Sequence, residues 1–114
     1  MNPGEAVLLR LYISGDQTHG GKPLYEGVVV KARELGLAGA SVFSAEIGYG
    51  AHRVIHDTMS EYSFVGSPVV VEVVDVPERI EALLQELTVM VGEGLATVST
   101  MSPVYVARYV HSSE

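Results

Sequence analysis

The sequence has no cysteine and no tryptophan, and only 18% of its residues are charged. Without cysteine, disulfide scaffolds, thiolate metal sites and cysteine nucleophiles are excluded. Lysine and arginine together number 7 against 14 aspartates and glutamates, a formal charge of −7. The deficit of positive charge is uneven: after Asp57 only Arg79 and Arg108 remain. Such a surface repels phosphate backbones, which argues against general nucleic-acid binding. No uninterrupted apolar run approaches the ~18 residues of a membrane span. The opening Met1-Asn2-Pro3-Gly4-Glu5 has neither the charged nor the apolar region of a signal peptide, so a cytoplasmic location is expected.

What is present is apolar. Hydrophobic residues make up 47% of the 114, and the mean hydropathy is +0.27, which excludes a disordered chain. The length allows one domain, residues 1–114, with one real core. Ala6 to Ile13 alternates with a strand period, Val7, Leu9, Leu11 and Ile13 sharing one face. A polar loop with Gly15, Gly20 and Gly21 follows. Pro23 suits a helix's first turn, and Leu24, Val28, Ala32 and Leu35 recur at helical spacing up to Gly36. Ala40 to Ile47 reads as a second strand and Pro68 to Val74 as a third. Asp75 and Glu78 have the spacing of a capping box. Ile80, Leu83, Leu84, Leu87 and Val91 then form a helical stripe stopped by Gly92. Leu95 to Met101 is a fourth strand, and Val104 to Val110 a short fifth one after Pro103. Residues 48–66 hold no sustained period, and a loop of that length is usually functional or mobile.

The order is βαββαβ with an extra C-terminal strand, which predicts an α+β, ferredoxin-like fold. Two helices cover one face of such a sheet. The strands are nevertheless apolar on both faces: Val70 and Val74 alternate with Val69, Val71 and Val73, and Leu8 and Tyr12 with Leu9 and Leu11. A second apolar face wants a second cover, and a neighbouring copy of the chain is the natural one. A homo-oligomer with inward sheets is therefore expected.

The candidate chemistry is sparse. His52 and His56 stand four apart, a metal-ligand spacing on a helix, but no HExxH pattern accompanies them and polar loop histidines are the plainer reading. Gly48-Tyr49-Gly50 leaves a strand, with Arg53 where a dinucleotide fingerprint needs its third glycine. Gly92-Glu93-Gly94 reads as a helix stop and turn, whose backbone N–H groups are also within the chemistry of an anion nest. Gly20-Gly21-Lys22-Pro23 precedes a helix, where a lysine and free N–H groups suit phosphate, although it is no Walker motif. Arg108 is either a solvated edge charge or an anion ligand. No Ser/His/Asp set or carboxylate pair has a catalytic spacing.

Taken together, Gly20-Gly21-Lys22-Pro23-Leu24-Tyr25-Glu26, Gly36-Leu37-Ala38-Gly39-Ala40-Ser41-Val42, Gly48-Tyr49-Gly50, Arg53 with Ile55-His56, Pro68-Val69-Val70-Val71-Glu72 and Met90-Val91-Gly92-Glu93-Gly94-Leu95 resemble the PII-like bacterial family known as domain of unknown function 190. The resemblance covers about residues 8–110. It implies a PII-like fold, a homotrimer, and nucleotide sites in clefts between subunits. Residues 48–66 resemble the effector loop, Gly92-Glu93-Gly94 the phosphate-cradling turn, and Arg108 the basic C-terminal side chains of PII proteins. The implied ligand is a small anionic metabolite, an adenine nucleotide first. Lys22, Gly48, Tyr49, Gly50, Arg53, Gly92, Glu93, Gly94 and Arg108 are the ligand-binding candidates, with Gly94 expected to let the backbone approach the ligand. The implied partner is a regulatory target protein, a membrane transporter being one class, with no enzymatic activity and no membrane insertion of the chain itself. Where PII turns continue with a lysine this chain has Leu95, so triphosphate binding is not carried over by the resemblance. Two other readings stay open: a CutA-like trimer holding a divalent cation through His52 and His56, and a small ferredoxin-like isomerase or monooxygenase.

Overall fold

In a computed structural model of the chain, the described residues are 5–44, 47–48, 56–57 and 67–102. The elements in order are β1 (Ala6–Ser14), β2 (Thr18–His19), β3 (Lys22–Pro23), α1 (Leu24–Glu34), β4 (Ala40–Ser44), β5 (Ile47–Gly48), β6 (His56–Asp57), β7 (Pro68–Asp75), α2 (Pro77–Met90) and β8 (Leu95–Met101). The four long strands form one antiparallel sheet in the order β4-β7-β1-β8. With both helices on one side, this is the ferredoxin-like βαββαβ arrangement.

The alternation of apolar residues decides which face the helices cover. Leu9, Leu11, Val69, Val71 and Val73 lie beneath them, packed with Leu24, Val28, Ala32, Ile80, Leu83 and Leu87 in a single core. The opposite face carries a continuous apolar row, Phe43–Val70–Tyr12–Leu95, set by the strand register. Phe43 is 53% exposed and Leu95 63%. Below that row Arg10 donates to Glu72 across the strand pair at 2.9 Å. The expected placement of Val70 and Val74 on the helix-free face is thus found.

Helix ends are fixed by local chemistry. α1 closes in a Schellman motif: Gly36 N–H donates to Arg33 O and Leu37 N–H to Ala32 O. Gly36 takes the left-handed φ of 81° that this motif requires. Arg79 of α2 donates to the Gly36 carbonyl, which ties the two helices and puts a cation at the negative end of α1. Lys31 pairs with Glu34 at 3.1 Å and reaches Glu86 of α2 at 3.6 Å.

Two expected features differ. Asp75 does not cap α2, whose N-cap is Val76 with no side-chain cap. Its carboxylate accepts from Val76 N–H and from Ala38 N–H, at 2.7 and 2.8 Å, and so anchors the turn between α1 and β4. Nor is residues 48–66 wholly without strand, since Ile47–Gly48 pairs with His56–Asp57 as a short antiparallel ladder. The expected strand at 104–110 lies outside the described residues.

Candidate functional site

The register brings the loop ends to one edge of the sheet. Ser14 at the end of β1 faces Pro68 at the start of β7, Ser44 faces Val69, and Tyr12 faces Leu95 at the start of β8. The turn at Gly92–Gly94, the start of α1 and both ends of the segment between β4 and β7 therefore share this edge. The Oγ atoms of Ser44 and Ser67 are buried at those two ends with no hydrogen-bond partner among the described residues.

Gly20 and Gly21 sit at φ 61° and 79°, and His19 pairs with Lys22 across them. Two successive left-handed residues in a two-residue hairpin define a type I′ turn, which accounts for both glycines. The turn accounts for both glycines without a ligand, and Lys22-Pro23 separates them from α1, whose N-cap is Pro23. Lys22 is exposed on β3 and enters no ion pair among the described residues.

The turn before β8 contains two glycines with different reasons. A Cβ at Gly94 would stand 2.9 Å from Ile13 Cγ2 and 3.1 Å from the Tyr12 carbonyl oxygen. Packing on β1 by itself requires glycine there, whatever the turn binds. At Gly92 a Cβ would meet nothing within 4 Å, and its φ is not left-handed. Nor does Gly92 stop α2 as a left-handed cap, because the helix ends through Val91 in an extended conformation (φ −96°, ψ 113°). Among the described residues nothing in the packing or the backbone conformation requires glycine at 92.

Beside the turn an open groove of about 210 Å³ runs between α2 and the β1–β8 pair. Leu11, Leu84, Leu87, Val91 and Ala96 give it apolar walls, and Thr88, Gly92 and Gly94 complete it. The polar residue that sequence reasoning missed is Gln17. Its Nε2 donates to the Glu93 carbonyl at 2.8 Å and its Oε1 accepts from Ser14 N–H at 2.7 Å. Nothing in the spacing around Gln17 marks it.

Tyr49, Gly50, His52, Arg53 and Arg108 lie outside the described residues. His56 is in the extended strand β6, so the helical spacing supposed for a His52–His56 metal pair does not hold there. Among the described residues there is no group of three or more His, Cys, Asp or Glu side chains able to hold a metal ion. No helix among them is long and apolar enough to cross a membrane. Among the described residues two cations have shifted proton affinities: Arg10 is raised by the hydrogen bond it donates to Glu72, and Lys31 by the one it donates to Glu34.

The strand order and helix placement are those of PII-like proteins. A Thermus thermophilus protein described as PII-like and signalling superimposes with a TM-score of 0.62 at 18% identity, covering 85% of this chain and 87% of that one. CPII, a nitrogen regulatory PII-like protein from Thiomonas intermedia solved with ADP, AMP and bicarbonate, gives 0.61 at 13% identity, covering 85% and 86%. CutA from Synechococcus elongatus gives 0.55 at 15%, covering 88% and 78%. At these identities the likeness defines the fold. The family model DUF190, described as "Uncharacterized ACR", matches residues 6–102, and the chain belongs to that family. A UPF0166 protein from Aquifex aeolicus is 37% identical over 98 residues, which span 86% of this chain and 92% of the relative.

Proposed function

We propose that the chain is a non-enzymatic PII-like regulatory protein that binds an adenine nucleotide beside the Gly92–Gly94 turn. The observation that carries this reading is Gly92, a glycine that neither sterics nor backbone conformation demands. It borders an apolar groove at the sheet edge from which the long segment between β4 and β7 departs. A glycine without an internal reason suits the close approach of a ligand to backbone N–H groups. The groove's apolar walls suit the face of a purine ring. The PII-like neighbour solved with ADP and AMP supports the choice of ligand class.

At about 210 Å³ the groove is smaller than the roughly 300–1,000 Å³ of a pocket that encloses a small molecule by itself. The rest of the site is assigned to a neighbouring copy. The bare sheet face, with Phe43, Tyr12, Leu95 and Val74 all at least 40% exposed, supports assembly through that face. The reading is a homotrimer with the sheets inward. Lys22, Arg53 and Arg108 are its candidate phosphate partners, and residues 48–66 the segment that orders or releases on binding to signal to a target protein.

Calorimetry with ADP and AMP tests the reading. A ligand at about 100 times its Kd stabilises the fold by about 2.7 kcal/mol, so a thermal shift is expected alongside the binding heat. Loss of one charge-assisted hydrogen bond, in Arg108→Ala or Lys22→Ala, is expected to weaken binding roughly ten- to a hundredfold. Gly92→Val, which the fold has room for, is expected to do at least as much. Undiminished binding in Gly92→Val moves the site away from the turn. No binding of either nucleotide to the unmodified chain discards the reading.

A further inference from the structure

Gln17 lies in the loop between β1 and β2, and all of its polar side-chain capacity that the fold uses is directed to backbone. Its Oε1 accepts from Ser14 N–H at the end of β1, and its Nε2 donates to the Glu93 carbonyl, 76 positions away in sequence. Its own carbonyl accepts from Leu24 N–H, the first residue of α1, at 2.8 Å. One residue therefore joins the end of β1, the start of α1 and the turn ahead of β8. The amide has the donor and the acceptor that this bridge needs, and no carboxylate or ammonium side chain has both.

A peptide unit is planar and trans, so holding the Glu93 carbonyl also fixes the direction of the Gly94 N–H. Gly94 is seated on Tyr12 and Ile13 by van der Waals contact. Gly92 has open space around it. The orientation of the peptide between Glu93 and Gly94 is then set by the polar tether from Gln17. We infer that Gln17 is the positioning residue of the Gly92–Gly94 turn, and that it aligns the turn's backbone donors for an anionic ligand. The ligand half of this inference rests on the nucleotide reading above; the half concerning the turn does not.

Gln17→Glu separates the roles. The carboxylate still accepts from Ser14 N–H, while its second oxygen meets the Glu93 carbonyl oxygen with no proton between them. Two measurements are made on the full chain. In amide hydrogen exchange without ligand, residues 92–95 of Gln17→Glu are expected to exchange at least tenfold faster than in the unmodified chain, with β1 and β7 unchanged. In calorimetry with ADP, affinity is expected to fall about tenfold while the thermal midpoint holds. Unchanged exchange at 92–95 overturns the inference whether or not ADP binds. Faster exchange spread through β1 and α1, with ADP affinity retained by the folded fraction, assigns Gln17 a general structural role and overturns it as well. If the unmodified chain binds no ADP, the nucleotide reading fails, and the exchange measurement alone decides whether Gln17 holds the turn.

Discussion

Along β7 one residue type meets two environments. Val69, Val71 and Val73 are each 1% exposed beneath the helices, whereas Val70 and Val74 point to the bare face, Val74 at 43%. In β1 the contrast is confined to the far end: Leu9 and Leu11 are buried and Tyr12 is 40% exposed, while Ala6 and Leu8, on the face of Tyr12, are buried. The contrast lies in what the fold has available to lay over each face, since the side chains are alike. The described residues supply two helices, and both lie on the same side. Among the described residues no helix is laid over the second face, although it is as apolar in places as a core, and this supports the proposal that another copy of the chain covers it.

The helix-covered face is where substitution costs most. Leu83 is fully buried at its centre, and Leu83→Ala is expected to destabilise by about 2–5 kcal/mol in equilibrium denaturation, the loss of transfer energy plus a cavity. Next comes the turn, where the two glycines part. Gly94→Val is expected to cost about 1–3 kcal/mol as side-chain atoms are forced against β1, while Gly92→Val stays within about 0.5 kcal/mol. Equal effects at the two positions would show that the packing distinction between them is wrong. On the bare face, Leu95→Asp leaves the fold of one chain nearly unchanged by circular dichroism but abolishes assembly in analytical ultracentrifugation. A monomeric unmodified chain at micromolar concentration ends the contrast between the faces.

The smallest effect is expected from Lys31, which pairs with Glu34 within α1 and reaches Glu86 of α2. Lys31 holds its proton more tightly than the ordinary 10.5, chiefly through Glu34. A cation whose affinity rises on folding contributes below its unfolded value and loses that contribution as pH climbs through the folded one. The difference between the unmodified chain and Lys31→Met should therefore be constant from neutral pH to about pH 10 and vanish in stronger alkali, as followed by denaturant midpoints. The pair is solvent-exposed, and such pairs are weak.

The period-two and helical patterns carried the four long strands, both helices and the two-faced character of the sheet, because burial acts on each side chain separately and leaves its mark in local spacing. Residues whose reasons lie far away in sequence carry a weaker local signal. Asp75 has the local pattern of a capping box with Glu78, yet its second oxygen serves Ala38, 37 positions back. Gly20 and Gly21 suit either a phosphate loop or a type I′ turn, since both demand residues free to adopt positive φ, and the choice is made by the pairing of His19 with Lys22. Gly94 owes its size to Tyr12 and Ile13. Of the candidate site, the Gly92–Gly94 turn was legible from its two glycines, but the tether at Gln17 was not, because a lone polar side chain in a polar loop has no period to betray it.

The position of β1 at the middle of the sheet also governs how the chain comes to be made. β1 is synthesised first among the described strands, but its neighbours on both sides, β7 and β8, are the last two of them. Val7 faces Asp75 and Thr100. At ribosomal speeds of about 5–20 residues per second, the most apolar strand waits roughly 3–14 s before its first partner has been made. During that interval α1 is the one long helix among the described residues available to shelter Leu9, Leu11 and Ile13, so nascent β1 is left open to capture by chaperones or by other nascent chains.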